Sequence, residues 1–312
     1  MRRKNKSIVN RFVARVLTTI ILGTLIITSN VRSATISQLN GSIVSSNWDN
    51  HIMLLDMKSS RVIQLTKSGT NLWPTWSFDG KKIAFASVRG EHKREICIMD
   101  ADGRNEKRVI YTKNGDASDP HWGVGSLLYF ETVVKGVLQE NSIDLISGDM
   151  KVISSTGEVS AKTIKELLEK RKHIYQIFPS RDGKYQMLYF RHQQKLELLE
   201  LASGTKRELR GGRQGQPSWS KDSKRVAYVT GEIPDQVLMI FDVKENTYEE
   251  IHLGRGPDTG CGGKTSWNGS SSRIVYSCGT PYSQKEDSRL YILDLETKKS
   301  SMLIKGSSPD WH

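Results

Sequence analysis

Short apolar runs separated by polar turns recur along the chain from residue 41 to its end. Residues 72–110 show the pattern most clearly. Leu-Trp-Pro-Thr-Trp is followed by a Ser-Phe-Asp-Gly break, then Ile-Ala-Phe-Ala-Ser, a polar break, Glu-Ile-Cys-Ile-Met, an Asp-Ala-Asp-Gly break and finally Lys107 to Ile110. Runs this short, rich in β-branched and aromatic residues, predict strands. Ser77-Phe-Asp79-Gly80 and Asp100-Ala-Asp-Gly103 predict tight turns, because Asp closes a local hydrogen-bonded loop and Gly adopts φ > 0 without a Cβ clash. The stretch reads as a four-stranded meander. One such sheet cannot bury both of its faces, so the unit makes sense only if it recurs.

It does recur. Gln216-Pro-Ser-Trp219 leads into Arg225–Val229 and Val237–Asp242, and Lys264-Thr-Ser-Trp267 leads into Arg273–Ser277 and Leu290–Asp294. A weaker copy starts at Asp119-Pro-His-Trp122, and another at Phe178-Pro179, where Trp is missing. The anchors Trp76, Trp122, Pro179, Trp219 and Trp267 are 46, 57, 40 and 48 residues apart. A period of roughly 40 to 50 residues built from four strands is the signature of a β-propeller. Gly41–Leu65 carries the second, third and fourth strands of a unit with no Pro-x-Trp before them, and Ser308-Pro-Asp-Trp311 supplies that strand from the C-terminal end. The expectation is an all-β, six-bladed propeller of four-stranded antiparallel blades, closed by the C-terminal strand.

The repeat Pro-x-Trp-Ser-x-Asp-Gly-Lys-x-Ile-Ala-Phe, followed by Ile-x-x-Met-Asp-x-Asp-Gly, resembles the WD40-like repeat of the TolB family of propellers. It is strong in residues 73–110, good in 216–251 and 264–303, and degenerate elsewhere. The resemblance covers residues 41–312 and the propeller part alone, since the α/β domain that precedes the propeller in TolB proteins has no counterpart here. It implies a scaffold that binds protein.

The first segment stands outside the repeats. Arg2, Arg3, Lys4, Lys6, Arg11 and Arg15 form a basic head, Val16 to Thr28 is apolar, and Val31-Arg-Ser33 fits cleavage before Ala34. This is secretory signal architecture, giving a leader over 1–33 and a propeller domain over 34–312. The apolar run is too short to span a bilayer comfortably, so no stable membrane span is expected after its removal. The leader also changes the charge picture. The whole chain has 46 basic and 34 acidic residues, net +12, but residues 1–34 hold seven basic groups and no acid, leaving +5. That is an ordinary surface and excludes a nucleic-acid footprint.

Three cysteines are present. Cys97 lies mid-strand as a small hydrophobe. Cys261 and Cys278 flank the first hairpin of the last blade, and in an exported protein they are candidates for a cross-strand disulfide, against two free thiols. The aspartates ending third strands (Asp56, Asp100, Asp242, Asp294) are read as turn caps and not as a metal set. The repeated tryptophans are read as packing between blades. Between Ile153 and Tyr175 an insertion breaks the period. Ser160 can cap a helix over about 158–172 whose apolar stripe is Ala161, Ile164, Leu167 and Leu168.

Loops joining second to third strands, and blade to blade, share one face. The long irregular ones are 88–94, 111–119, 132–141, 210–216, 230–236, 253–264 and 279–288, and variable loops on a rigid scaffold are where binding usually lives. Arg89, His92, Arg94, Arg213 and Arg255 fall on this face and predict a modest basic rim, suited to an acidic segment or an anionic glycan. No chemistry rises above background. The seven His are scattered singly, with no zinc spacing. No Gly-x-Ser-x-Gly elbow is present. The expectation is a non-enzymatic, monomeric propeller in the periplasm or outside the cell, without cofactor, that binds a protein of the envelope through its loop face and channel mouth. The competing reading is a carbohydrate-binding or polysaccharide-lyase-type propeller, for which His92, His121 and Glu131 are the loose candidates.

Overall fold

The structure is a computed structural model that describes residues 39–89, 93–112, 115–156, 175–190, 192–211, 215–232, 235–253, 260–261, 264–279 and 288–312. Twenty-four strands form six four-stranded antiparallel sheets. Blade 2 contains β4 (Thr70–Trp76), β5 (Lys82–Val88), β6 (Arg94–Asp100) and β7 (Lys107–Ile110). Blade 3 contains β8 (Gly115–Trp122), β9 (Leu127–Val134), β10 (Val137–Asp144) and β11 (Met150–Ser155). Blade 4 contains β12 (Gln176–Pro179), β13 (Tyr185–Phe190), β14 (Lys195–Glu200) and β15 (Lys206–Glu208). Blade 5 contains β16 (Ser218–Trp219), β17 (Arg225–Thr230), β18 (Val237–Asp242) and β19 (Thr247–His252). Blade 6 contains β20 (Ser266–Trp267), β21 (Arg273–Cys278), β22 (Arg289–Asp294) and β23 (Lys299–Lys305). Blade 1 joins both ends of the chain: β1 (Ser42–Ser46), β2 (Ile52–Asp56) and β3 (Arg61–Gln64) pair in order, and β24 (Ser307–Trp311) adds on the inner side of β1. The closing register sets Ile43 opposite Trp311 and Val44 opposite Asp310, as the repeat count requires.

The core lies between blades, one apolar cluster at each of the six seams. Phe85, Cys97 and Met99 of blade 2 meet Val44 and Ile52 of blade 1, and Ile43 and Trp311 of blade 1 meet Val275 and Leu290 of blade 6. The seam between blades 3 and 4 is the smallest among the described residues, with Tyr129, Ile177 and Leu188 buried in it. It is also the seam of the blade in which Pro179 stands where the others have Trp.

The tryptophans are directional clamps. Trp122 Nε1 donates to Thr75 O of the preceding blade at 3.1 Å, Trp219 Nε1 to Phe178 O at 2.8 Å and Trp267 Nε1 to Ser218 O at 3.1 Å. Each acceptor is the residue just before the anchor of the previous repeat, so the repeat period itself sets the bond. At the closing seam the pattern lapses. Trp311 Nε1 reaches Asn40 O, and Trp76 Nε1 finds no acceptor among the described residues.

The predicted turn chemistry is present. Ser77 Oγ donates to Asp79 Oδ1, whose same oxygen accepts the Lys81 amide, and the Ser180–Asp182 and Ser220–Asp222 pairs repeat it. The third-strand aspartates cap the next turn: Asp242 Oδ1 takes the amides of Lys244 and Glu245, and Asp294 Oδ1 those of Glu296 and Thr297.

Two segments expected as long loops are largely strand. Residues 132–141 are the end of β9, a Lys135-Gly136 turn and the start of β10. Both turn residues have positive φ, 50° and 79°, the left-handed pair of a two-residue hairpin whose twist matches its strands. Residues 115–119 belong to β8. The helix expected over 158–172 lies outside the described residues, as does the leader over 1–33. Among the described residues no helix is long and apolar enough to cross a membrane.

Candidate functional site

Inner strands line the channel, and three of them reach further toward the loop face than the others. β24, β4 and β8 each carry a bulge immediately before proline. The register shifts between Leu72 and Thr75, between Ser118 and His121, and opposite Val44–Ser46. The residue before each proline is left-handed: Trp73 at φ 53°, Asp119 at 55°, Ser308 at 51°. Proline disfavours this for its predecessor, and a non-glycine residue there is strained. A bulge re-aims side chains, and strain of this kind persists only where the surroundings over-determine it. All three residues line one cavity of about 600 Å³ at the loop end of the channel. Its wall is mixed: Trp73, Pro120, Val133, Leu138 and Tyr189 are interleaved with polar groups.

Asp119 organises the polar part. Its Oδ2 accepts Gln176 Nε2 at 2.6 Å and Gln216 Nε2 at 2.5 Å, tying blades 3, 4 and 5 together across the mouth. His121 is buried between the rings of Tyr129 and Phe178, with centroids at 5.5 and 4.6 Å. Its Nδ1 lies 3.1 Å from Asp119 O and its Nε2 3.4 Å from Glu140 Oε1. Burial lowers the His121 pKa against the opposing pull of Asp119. Glu131, directly opposite the buried Glu140 in the β9–β10 register, also lines the cavity. Among the described residues no group of three or more His, Cys, Asp or Glu could hold a metal ion.

Of the predicted basic rim, Arg94 is at the mouth. Its guanidinium sits 5.5 Å from the Trp73 ring centroid, and its Nε is 3.6 Å from Asp116 Oδ1. Arg89 is exposed, donates to Ser87 Oγ at 3.0 Å and is paired with Glu106, so it does not line the cavity. His92, Arg213 and Arg255 lie outside the described residues. Cys261 and Cys278 are joined by a disulfide, within the apolar seam of blades 5 and 6.

Sequence reasoning missed the narrower part of the channel behind the mouth, which adjoins it at His121 and Lys264. There a second cavity of about 90 Å³ is lined by the middle residue of every Pro-x-Trp repeat or its equivalent: Thr75, His121, Phe178, Ser218, Ser266 and Asp310. Arg181 and Lys221, at the same place in two consecutive blades just past the anchor, close it from the short-turn side. The x of the repeat was the signal: a strand position between two packed anchors must face the axis. Asp310 is the centre of this part. It accepts Thr75 Oγ1 and the Trp76 amide, both at 2.8 Å, and Ser266 Oγ at 2.7 Å, and it pairs with Lys264 Nζ at 3.1 Å. Burial pushes the Asp310 carboxyl up, but Lys264, Lys221 and the donated hydrogen bonds outweigh it and hold it well below the usual carboxylate range. Lys221 Nζ donates to Trp311 O at 2.5 Å, and Arg181 Nη1 to Phe78 O at 2.8 Å while stacking on the Phe78 ring. Burial, reinforced by Arg181 and Lys264 and opposed by Asp310, lowers Lys221 to about 7.

No family model matches the sequence, and no curated protein sequence matches it. Solved structures do. TolB from Acinetobacter baumannii aligns with a TM-score of 0.65 at 16% identity, covering 87% of this chain and 66% of that protein. Putative TolB from Agrobacterium tumefaciens aligns with a TM-score of 0.59 at 15% identity, covering 86% and 91%. An oligogalacturonate lyase in complex with manganese aligns with a TM-score of 0.51 at 12% identity, covering 84% and 78%. The chain therefore spans just under two thirds of the Acinetobacter protein, and identities this low establish a shared fold. In that sense the chain is a TolB-like six-bladed β-propeller.

Proposed function

We propose that the chain is an exported, non-enzymatic scaffold that receives a short polypeptide segment of an envelope protein at the loop-end mouth of its channel. The observation that carries this reading is the mouth itself. It is an open cavity of about 600 Å³ whose wall alternates apolar and hydrogen-bonding groups, with three strained bulge residues turned into it. A polypeptide offers both side chains and amides, and such a mixed, rigid wall suits both. The Arg94 guanidinium, already stacked on Trp73, adds a basic edge for an acidic residue of that segment. Export to the periplasm or beyond is supported by the basic-then-apolar leader and by the Cys261–Cys278 disulfide, a bond that persists in oxidising compartments.

The test is selection from a displayed random-peptide library, run in parallel with an array of neutral and anionic glycans. Peptides enriched on the native protein should lose about ten-fold in affinity on Val133→Glu and on Trp73→Ala. They should be unaffected by Ile146→Glu, which alters a side chain 88% exposed away from the mouth. Selection of glycans and no peptides, or peptides insensitive to both mouth variants, overturns the proposal. The first of these outcomes favours the carbohydrate reading, in which His121 and Glu131 in the same cavity would face the sugar.

A further inference from the structure

We propose that the narrow part of the channel binds a small oxyanion of the sulfate or phosphate class, held between Arg181, Lys221 and Lys264. The peptide-binding reading concerns the wider mouth cavity, which shares His121 and Lys264 with this chamber, whereas Arg181 and Lys221 line this chamber and not the mouth, so their substitution tests the anion site separately. Charge gives the first argument. The three cations line one chamber whose lining holds a single carboxylate, Asp310. That carboxylate is already occupied by Thr75, Trp76, Ser266 and Lys264. Lys221 and Arg181 are left to neutral main-chain oxygens, those of Trp311 and Phe78. An ammonium has three donors and a guanidinium five, so one carbonyl each uses a fraction of what they offer.

Like charges recessed together repel, and each loses hydration. A bound dianion relieves both costs, because charge-assisted bonds to an oxyanion are the strong ones. Arginine in particular presents a fork that matches two oxyanion oxygens.

Size gives the second argument. A chamber of about 90 Å³ holds several waters, and so has room for one tetrahedral oxyanion, and it is much smaller than the mouth cavity of about 600 Å³. The hydroxyl pair Ser218–Thr265, whose oxygens are 2.7 Å apart, adds polar lining on the blade 5–blade 6 side. The third argument is placement. Arg181 and Lys221 come from equivalent positions of consecutive repeats, and Lys264 precedes the inner strand of the next blade, so three adjacent blades converge on one point of the axis.

Sulfate is the probe, because its charge does not change across the neutral range. The native protein, titrated calorimetrically at constant ionic strength with chloride, should bind one sulfate. Lys221→Met and Arg181→Met should each weaken it by about ten-fold or more. Lys58→Met, at an exposed turn away from the channel, should leave it unchanged. The groups facing Lys221 are Arg181, Lys264, Asp310 and His312. Lys221, lowered to about 7, loses its charge as pH rises through neutrality, so affinity should fall between about pH 6 and 8.5 in the native protein and fall less in Lys221→Met. Absence of saturable sulfate binding, or binding by both channel variants as tight as that of the native protein, overturns the proposal. Should either variant fail to fold, native crystals soaked in selenate decide it. An anomalous peak among Arg181, Lys221 and Lys264 supports the site, and a bare chamber refutes it.

Discussion

Replacing Asp310 by Asn tests how the ring is closed. The carboxylate accepts three hydrogen bonds, at 2.8, 2.8 and 2.7 Å, and pairs with Lys264 at 3.1 Å. Two donors, Thr75 Oγ1 and the Trp76 amide, converge on one oxygen together with Lys264, while Ser266 uses the other. An amide keeps one acceptor and turns its NH₂ toward a donor, so at least one bond is lost and a recessed ammonium loses its counter-charge. Breaking a buried pair from one side costs about 3–5 kcal/mol, most of it from the charge left behind. For a domain of this size that is a fall in Tm on the order of 10 °C. Urea denaturation and calorimetry read both. The pH dependence adds an independent check. The folded carboxyl sits below its ordinary value, so its stabilisation is full above about pH 5 and is lost as pH falls through the ordinary value toward the folded one. The gap between native and Asn proteins should therefore shrink in acid. Adding Lys264→Met to the Asn variant should recover part of the loss, because the ammonium that paired with Asp310 is then gone as well. A single Asn variant within about 1 kcal/mol of native at neutral pH refutes the reasoning.

The tryptophan clamps predict an asymmetry: Trp122→Phe should cost about 1 kcal/mol more than Trp76→Phe, since only the former gives up an indole hydrogen bond. Urea midpoints at equal m-value compare them, and equal losses would remove the clamp from the account. The disulfide closes a sequence separation of 17, worth about 3 kcal/mol by chain entropy, so reduction should lower Tm measurably. Thiol titration of the unfolded, unreduced protein should then count one group, and a count of three ends that claim. Burial, aided by Glu95, pushes the Cys97 thiol up to about 12, so native protein should resist alkylation at mildly alkaline pH and react fully in denaturant. Rapid native labelling would contradict the buried placement.

The blade count and the closing strand were legible because each depends on short-range chemistry repeated at a fixed period. Pro-x-Trp-Ser-x-Asp-Gly names an inner strand and its turn wherever it occurs, and Ser308–Trp311 shows the same grammar at the far end. Strand lengths were less legible. The bulges before Pro74, Pro120 and Pro309 extend inner strands by tertiary pairing with β5, β9 and β1, which no local propensity announces. The basic rim was read from charge in loops, yet Arg89 is engaged with Glu106. The recessed cations were overlooked for the converse reason. Arg181 and Lys221 sit in turns, where a charged residue is ordinarily solvated, and only the ring geometry points them at the axis.

The clasp of β24 on β1 has a mechanical consequence. A linear repeat array can fray from either end, since its terminal unit has one neighbour. Here every sheet is flanked on both sides, and Asp310 ties the first sheet to its second and sixth neighbours at once. Loosening any blade therefore breaks two seams together, which favours all-or-none melting. The pairing of residue 43 with 311 also joins positions far apart along the polypeptide, a contact that is intrinsically slow to form.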